Sequence, residues 1–449
     1  MAVACNGTPE EPSEPGPPPV PTPIEDISLS KIHAKQMNAS ILHIASTDDL
    51  DGDGHADLFV GYNTSSHLTP DESIGLRVFP SSLEEDIAPE DALATMRSRG
   101  ASVLKANVHG NGDLNGDGWE DYLYVDSDHP IEATYAVAGG MLGDIPTDNP
   151  IARINFEPWI CDAEISPDLN LHVEDLTNDG IADVLAWCNT FPNDPSYGSA
   201  DYLGLFRGPL AGELSAWDAD LYILNTIDEA AFLGGGGVRG VGDMSGDGID
   251  ELAVFSWEYH DEFTWAYLFL SASTTGQVDH QDIDDALLND DEVFVNTIVA
   301  ANDVNGDGYA DIAYSAFRYD YSSGSVGVAH GPIEGPVHRA DAQVFTVFAS
   351  NRNWDWSIGL TERQADLDGD GWVDLLLQVG TDVDAGDRLY VVHGPLEGTC
   401  SLDDFASVGG FVGGGSWAQI DDIDGDALPD FAVEDWDEGI VYLLPGTAL

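Results

Sequence analysis

The chain has 449 residues, and its 82 Asp and Glu outnumber its 14 Lys and Arg, which gives a formal net charge of −68. This charge excludes binding to nucleic-acid phosphates as a default function, because such binding needs clustered cations. Hydrophobic residues make up 43% of the chain, which excludes an intrinsically disordered protein, and no apolar run approaches the roughly 18 residues of a membrane-spanning helix.

The N-terminal segment predicts a tether. Eight of the eighteen residues in 6–23 are Pro, a composition that favours extended polyproline II and cannot bury a core. Just before it, Ala2-Val3-Ala4-Cys5 resembles the end of a bacterial lipoprotein signal, although Ala2 stands where Leu is usual. We therefore expect residues 1–23 to be a truncated lipoprotein-type signal end plus a Pro-rich linker, with lipid on Cys5. A chance Cys in a disordered tail is the alternative.

One nine-residue acidic pattern recurs seven times in the rest of the chain. We number these copies as loops one to seven and the positions within each loop from one to nine. The intervals between successive first positions are 64, 62, 68, 60, 63 and 56 residues. Such even spacing predicts a single repeat domain over residues 24–449. The copies are DLDGDGHAD, DLNGDGWED, DLTNDGIAD, DMSGDGIDE, DVNGDGYAD, DLDGDGWVD and DIDGDALPD.

Short apolar segments surround every loop. In the first repeat one strand is predicted over 41–45 and a second over 57–61, and later repeats add a third strand ending in a Gly-Pro turn and a fourth, alternating strand. Four strands repeated seven times predict an all-β fold, a seven-bladed β-propeller with four-stranded blades. The alternating segment 24–32 has the character of the fourth strand that the last repeat lacks. We expect this N-terminal strand to pair with the last blade and close it.

The loops have the spacing of calcium ligands. Ca²⁺ takes roughly six to eight oxygens, and positions one, three, five and nine offer side-chain oxygens while position seven offers its backbone carbonyl. The sequence thus predicts up to seven Ca²⁺, with loop seven weakest because it has Ala427 where Gly is expected and Pro429 at position eight. The predicted ligands are Asp49, Asp51, Asp53, His55 and Asp57; Asp113, Asn115, Asp117, Trp119 and Asp121; Asp175, Thr177, Asp179, Ile181 and Asp183; Asp243, Ser245, Asp247, Ile249 and Glu251; Asp303, Asn305, Asp307, Tyr309 and Asp311; Asp366, Asp368, Asp370, Trp372 and Asp374; and Asp422, Asp424, Asp426, Leu428 and Asp430.

These repeats resemble the FG-GAP (VCBS-type) repeats of the seven-bladed propeller in integrin α-subunits and many bacterial surface proteins. The resemblance covers nearly all of the chain beyond residue 23, but the FG-GAP sequence itself is degraded. It implies calcium in the loops on one face and partner binding through loops of the opposite face. Aromatic residues on the predicted partner loops are the candidate contacts, although they also fit packing between blades. They are Trp257, Tyr259, Trp265, Trp354 and Trp356.

The four cysteines leave the redox state open. Cys161 and Cys188 lie 27 residues apart and form one candidate disulfide. Cys400 is then left over, and three buried free thiols are the alternative.

The motifs favour recognition over catalysis. HExxH, CxxC and GxSxG are absent from the sequence. We therefore expect a calcium-binding, surface-tethered, monomeric extracellular protein that binds protein or matrix partners, is not an enzyme, and meets the membrane only through its lipid. A lectin-like, polysaccharide-binding propeller is the alternative, and a polysaccharide lyase is a further one.

Overall fold

The computed structural model describes most of the repeat region and two short N-terminal strands. Among these residues, no helix is both long and apolar enough to span a bilayer. The described residues are 22–23, 30–32, 39–64, 75–80, 91–97, 108–109, 112–126, 133–146, 149–156, 169–188, 201–225, 233–256, 266–289, 293–318, 324–348, 358–360, 364, 366–379, 387–396, 398–402, 407–411, 417–420, 422–423, 426, 428–435 and 440–445.

The described residues form an all-β β-propeller fold with very little helix. The helical elements whose full bounds the structure describes are the single-turn α1 (Arg339–Ala342) and two 3-10 turns, Ala216–Asp218 and His280–Asp282. The strands, in chain order, are β1 (Thr22–Pro23), β2 (Ser30–Ile32), β3 (Ala39–Thr47), β4 (Asp57–Thr64), β5 (Gly75–Phe79), β6 (Ala94–Arg97), β7 (Val108–His109), β8 (Tyr122–Asp126), β9 (Ala133–Val137), β10 (Gly143–Ile145), β11 (Ala152–Asn155), β12 (Leu169–Glu174), β13 (Asp183–Cys188), β14 (Asp201–Phe206), β15 (Gly212–Ser215), β16 (Leu221–Asn225), β17 (Leu233–Gly240), β18 (Glu251–Ser256), β19 (Ala266–Ser271), β20 (Gly276–Val278), β21 (Ala286–Leu288), β22 (Val293–Asn302), β23 (Asp311–Arg318), β24 (Gly324–Ala329), β25 (Pro336–His338), β26 (Gln343–Phe348), β27 (Ile358–Leu360), β28 (Leu375–Val379), β29 (Asp387–Val392), β30 (Gly398–Ser401), β31 (Ser407–Phe411), β32 (Trp417–Ile420), β33 (Asp430–Asp435) and β34 (Ile440–Leu444).

Every described sheet except that of repeat seven is five-stranded, where four strands were predicted. The third repeat shows the pattern: β12, β13, β14 and β16 pair antiparallel in that order, as the sequence predicts. A fifth strand, β20 of the next repeat, then pairs parallel to β16. The physical reason is that the fourth strand would otherwise present a row of unpaired backbone groups at the sheet edge, and the short crossing strand covers that edge.

The strands fall into two compact units. The first comprises Met1–Lys31, Val241–Asp247 and Asp285–Leu449, and the second comprises Ile32–Gly240 and Gly248–Asp284. The second unit holds the five-stranded sheets of repeats one to three. The first unit holds the five-stranded sheets of repeats five and six and the four-stranded sheet of repeat seven. Strands of repeat four occur in both units, and the predicted count of seven blades stays a prediction.

Two short N-terminal strands pair with the last repeats. Strand β1 lies parallel to β31, with Thr22 opposite Val408 and Pro23 opposite Gly409. Strand β2 lies beside β34 in the sheet ordered β2-β34-β33-β32. The N-terminal segment was expected from its sequence to pair with the last repeat in this way. A second contact, that of β1, was not expected from the sequence.

The hydrophobic core lies between the sheets of consecutive repeats. In the second unit, the ring centroids of Phe59 and Tyr122 stack 5.5 Å apart between repeats one and two, and Phe156 meets Tyr202 edge-on at 6.0 Å between repeats two and three. In the first unit, one core cluster joins repeats five and six and another joins repeats six and seven. Strand β24 is buried along its whole length. A strand that is covered on both faces needs no polar face. This explains why strands such as β24 show little alternation of apolar and polar residues.

Cys400 is not the leftover thiol expected from the sequence. It is 6% exposed and disulfide-bonded, and its partner lies outside the side chains that the structure describes.

Arg207 holds consecutive repeats together. Its side chain donates from Nε to the carbonyl of Ala272 at 3.0 Å and from Nη2 to the carbonyl of Thr274 at 2.7 Å. We expect Arg207→Ala to lower the free energy of unfolding by about 2 kcal/mol, because hydrogen bonds from a charged donor contribute about 1.5–3 kcal/mol. Arg207→Lys keeps the charge but lacks the fork that reaches both carbonyls, so it should lie in between. Urea unfolding tests this, and an unchanged midpoint in Arg207→Ala would contradict it.

Candidate metal-binding loops

The aspartate at position one organises each loop around its own carboxylate. In loop five, Asp303 Oδ1 accepts the backbone N–H groups of Gly306 at 2.6 Å and Asp307 at 3.1 Å, and Oδ2 accepts that of Gly308 at 2.8 Å. Loops one, two and six repeat all three contacts. The described contacts of loops three, four and seven follow the same plan. Hydrogen bonds from the loop backbone to the first-position carboxylate therefore hold the loop shape.

Glycine at position six permits that shape. Gly308 has φ of 93°, and the same position in loops one to four and loop six also lies in the left-handed region. A side chain is strained there, as the sequence predicts. Ala427 replaces this glycine in loop seven and lies outside the described residues. Its neighbours nevertheless keep a contact seen in loop five, where the N–H of Tyr309 donates to Asp307 Oδ1. In loop seven the N–H of Leu428 donates to Asp426 Oδ1 at 2.9 Å.

Positions three and five bring further oxygens to the same side. In loop one, ligand oxygens of Asp49, Asp51 and Asp53 lie within 4.8 Å of one another, and Asp366, Asp368 and Asp370 do the same in loop six. Loops two and five replace the third-position acid with Asn. Asn115 donates from Nδ2 to Asp121 Oδ2 at 2.9 Å, which links positions three and nine.

The ninth-position aspartate has a structural role that the sequence did not reveal. Asp311 is 0% exposed, and its Oδ2 accepts the N–H of Val304 at 2.9 Å while Oδ1 accepts the N–H of Gly331 at 2.9 Å. It therefore ties the loop to the turn after the third strand. Asp121, Asp183 and Asp374 make the same pair of contacts in their own repeats.

Asp57 departs from this pattern. Its Oδ2 accepts the N–H of Leu50 at 2.7 Å, but its buried Oδ1 has no hydrogen-bond partner. Burial, together with the nearby Asp49, Asp51 and Asp53, raises the pKa of Asp57 to about 7. A cation among the loop carboxylates would offset the clustered negative charge. This chemistry, hard oxygens of several carboxylates around one centre, fits Ca²⁺.

Burial acts on the other ninth-position carboxylates in the same direction. It raises the pKa of Asp121 and of Asp183 to about 6 in each case. Backbone N–H groups of the loop and of the third-strand turn oppose the shift, because they favour the charged form. The described loops thus hold carboxylates whose charge is costly without a positive partner.

Adjacent loops are joined to each other by backbone hydrogen bonds. In the second unit, the N–H of Ala182 in loop three donates to the carbonyl of Asp113 in loop two at 2.9 Å, and the N–H of Asp250 donates to the carbonyl of Leu176 at 3.0 Å. In the first unit, the N–H of Ala310 donates to the carbonyl of Asp243 at 2.9 Å. These hydrogen bonds link loop three to loop two, the end of loop four to loop three, and loop five to the start of loop four.

Position-seven side chains pack against the preceding loop. A Cβ built on Gly116 would lie 3.4 Å from Ile181, and one built on Gly246 would lie 2.8 Å from Tyr309. The small residue at position four thus leaves room for its neighbour. The carbonyls of His55, Trp119, Ile249, Trp372 and Leu428, with those of Ile181 and Tyr309, remain predicted ligands.

Several predicted residues lie outside the described part of the chain. They are the ligand Asp424, the lipidation site Cys5, and the partner contacts Trp257, Tyr259, Trp265, Trp354 and Trp356. Among the described residues, the exposed tryptophans are Trp119, Trp217 and Trp372. Trp119 and Trp372 occupy position seven of loops two and six. From the sequence, a role was predicted only for the backbone carbonyl at that position.

Comparison with known proteins adds little to this picture. No family model matches the sequence, and the comparison with curated proteins finds no match. Among solved structures, the crystal structure of the rhamnogalacturonan lyase YesW is similar over 88% of this chain and 80% of that chain, at 14% identity and a TM-score of 0.28. A likeness this distant assigns neither activity nor ligand to this chain.

The expectation that the chain is not an enzyme is nevertheless corrected. It depended on missing catalytic motifs and on the scarcity of cations, with only 14 Lys and Arg in the chain. The solved structure named above is a lyase, and a fold does not determine whether its surface carries a catalytic site. Absent motifs therefore do not exclude catalysis here.

Proposed function

We propose that this chain is a calcium-binding β-propeller of the FG-GAP type, held at the outside of the cell, that recognises a protein or matrix partner. The observation that carries the calcium proposal is the common geometry of the acidic loops. The first-position aspartates accept backbone N–H groups of their loops, and in loops one and six the ligand oxygens of positions one, three and five lie within 4.8 Å of one another.

Side chains at positions one, three, five and nine would hold the ion, with the carbonyl of position seven. In loop five these residues are Asp303, Asn305, Asp307, Asp311 and Tyr309. A bound Ca²⁺ supplies positive charge to a cluster that is otherwise purely anionic. The residues themselves form the loop, bury the ninth-position carboxylate and connect neighbouring loops.

Calcium removal is expected to destabilise the protein strongly. Each site occupied at about one hundred times its dissociation constant adds roughly 2.7 kcal/mol to the folded state, and several sites add together. We expect the melting temperature to fall by more than about 10 °C when EDTA replaces millimolar Ca²⁺. Thermal unfolding by circular dichroism measures this, with Mg²⁺ as the control ion. Equal melting temperatures in Ca²⁺, Mg²⁺ and EDTA would contradict the proposal.

The seven-bladed ring and the partner are parts of the same proposal. The terminal pairing of β2 with β34 supports a closed ring, and the net charge of −68 suits a protein kept soluble in a saline exterior.

Binding to a glycan array in millimolar Ca²⁺ and in EDTA tests the partner class. Selective glycan binding would replace the protein partner by a polysaccharide, and a blank array from folded protein supports a protein partner.

A further inference from the structure

A histidine lies against two carboxylates of loop six. His393 Nδ1 lies 3.3 Å from Asp374 Oδ2 and 3.5 Å from Asp368 Oδ2. Ligand atoms of all three residues lie within 4.8 Å of one another. His393 is not part of the nine-residue repeat, since it lies 19 positions beyond Asp374 in the sequence.

The fold explains why His393 reaches the loop. Gly394 donates its backbone N–H to Asp374 Oδ1 at 2.8 Å, which fixes the turn after β29 against the ninth position of loop six. The residue before that glycine is therefore held beside the loop. In repeat three the corresponding residue is Arg207, whose guanidinium reaches to Ala272 and Thr274 instead.

We propose that Asp368, Asp374 and His393 form a binding site for Zn²⁺. An imidazole nitrogen with two carboxylates is a donor set for zinc, whereas Ca²⁺ takes oxygen ligands. Tetrahedral ligands at about 2.0–2.1 Å from Zn²⁺ lie roughly 3.3–3.4 Å from one another. The two distances from His393 agree with this spacing.

The carboxylates are held for this role by the loop itself. Asp368 Oδ1 accepts the N–H of Asp370 at 3.1 Å, which turns Oδ2 toward His393. Asp374 is 1% exposed, and its Oδ2 accepts the N–H of Leu367 at 2.8 Å. His393 is 43% exposed on its side chain, so the site is open to solvent on that side. Zn²⁺ and Ca²⁺ then compete for loop six.

Repeat five provides an internal comparison. His330 precedes Gly331 as His393 precedes Gly394, and Gly331 donates its N–H to Asp311 at 2.9 Å. Position three of loop five is Asn305, which donates from Nδ2 to Asp307 at 3.0 Å. Repeat five therefore has the histidine and the ninth-position acid but lacks the second carboxylate.

Equilibrium dialysis of the full chain against Zn²⁺, after EDTA treatment, tests the site. We expect His393→Asn to remove one high-affinity Zn²⁺ and to weaken binding there at least tenfold, because even outer partners of a metal ligand contribute about 10–100-fold. The matched variant His330→Asn should bind Zn²⁺ as the parent does. Asn305→Asp should add one site in loop five, and His330→Asn in that background should remove it.

The absorption spectrum of bound Co²⁺ gives a second readout, which does not require the bound metal ions to be counted. Tetrahedral Co²⁺ with a histidine ligand absorbs visible light strongly, and this band should vanish in His393→Asn while circular dichroism shows the folded protein. Equal zinc affinity in the parent and in His393→Asn would overturn the proposal. Calcium bound by the other loops is measured in the same samples, so a failure of the calcium proposal is seen separately from a failure at loop six.

Discussion

Asp311→Ala is expected to destabilise the protein by about 3–5 kcal/mol even in EDTA. The substitution leaves the N–H groups of Val304 and Gly331 without their acceptor, and an unsatisfied buried donor costs about 1–3 kcal/mol. Removal of a buried charge offsets part of this loss, because burial raises the pKa of Asp311. Urea unfolding in EDTA measures the effect without any contribution from calcium.

Asp307→Ala is the matched control in the same loop. Asp307 is exposed and accepts only a local N–H, that of Tyr309, at 3.0 Å, together with the Asn305 amide. We expect a loss below about 1 kcal/mol in EDTA and a larger loss in Ca²⁺, because a proposed ligand is removed. Asp311→Asn should remain costly, since its amide nitrogen faces a donor. Equal stability of Asp307→Ala and Asp311→Ala in EDTA would show that position nine acts only as a ligand.

Deletion of residues 22–32 is the second change that we expect to lower stability strongly. It removes β1 from β31 and β2 from β34. Each lost backbone hydrogen bond costs about 1 kcal/mol, and the uncovered edges of two sheets become templates for aggregation. We expect the melting temperature to fall by roughly 5–10 °C and the protein to self-associate.

Deletion of residues 6–21 is the control for that experiment. It shortens the Pro-rich linker but keeps both strands, so the melting temperature should not change. Size-exclusion chromatography with thermal unfolding distinguishes the two deletions. If removal of 22–32 leaves both melting temperature and monomeric state unchanged, the N-terminal strands do not stabilise the fold.

The backbone shape of the loops was predictable from the sequence because it is local. The acids at positions one and five and the glycine at position six follow each other within a few residues, and each has a role that its neighbours alone explain. Gly308 lies in the left-handed region as predicted. The order of the four antiparallel strands was also predictable, since strands that follow one another in the sequence usually pair with each other.

Features that depend on distant residues could not be predicted. The crossing strand β15 has only the residues Gly-Glu-Leu-Ser, which show no alternation to mark a strand. Its partner β11 belongs to the preceding repeat. The acceptor role of Asp311 likewise requires Gly331, 20 positions away. No sequence spacing marks His393 as a metal ligand. The turn after β29, which carries it, approaches loop six only in the folded chain.

Calcium stoichiometry of the full chain tests the central claim most directly. Calcium is measured by elemental analysis after EDTA treatment, reloading and gel filtration in metal-free buffer. The account predicts several tightly bound Ca²⁺ per chain and a loss of one ion in each of Asp53→Ala and Asp307→Ala. Fewer than one Ca²⁺ per chain in folded protein would contradict it, and the acidic loops would then be hydrogen-bonded turns alone.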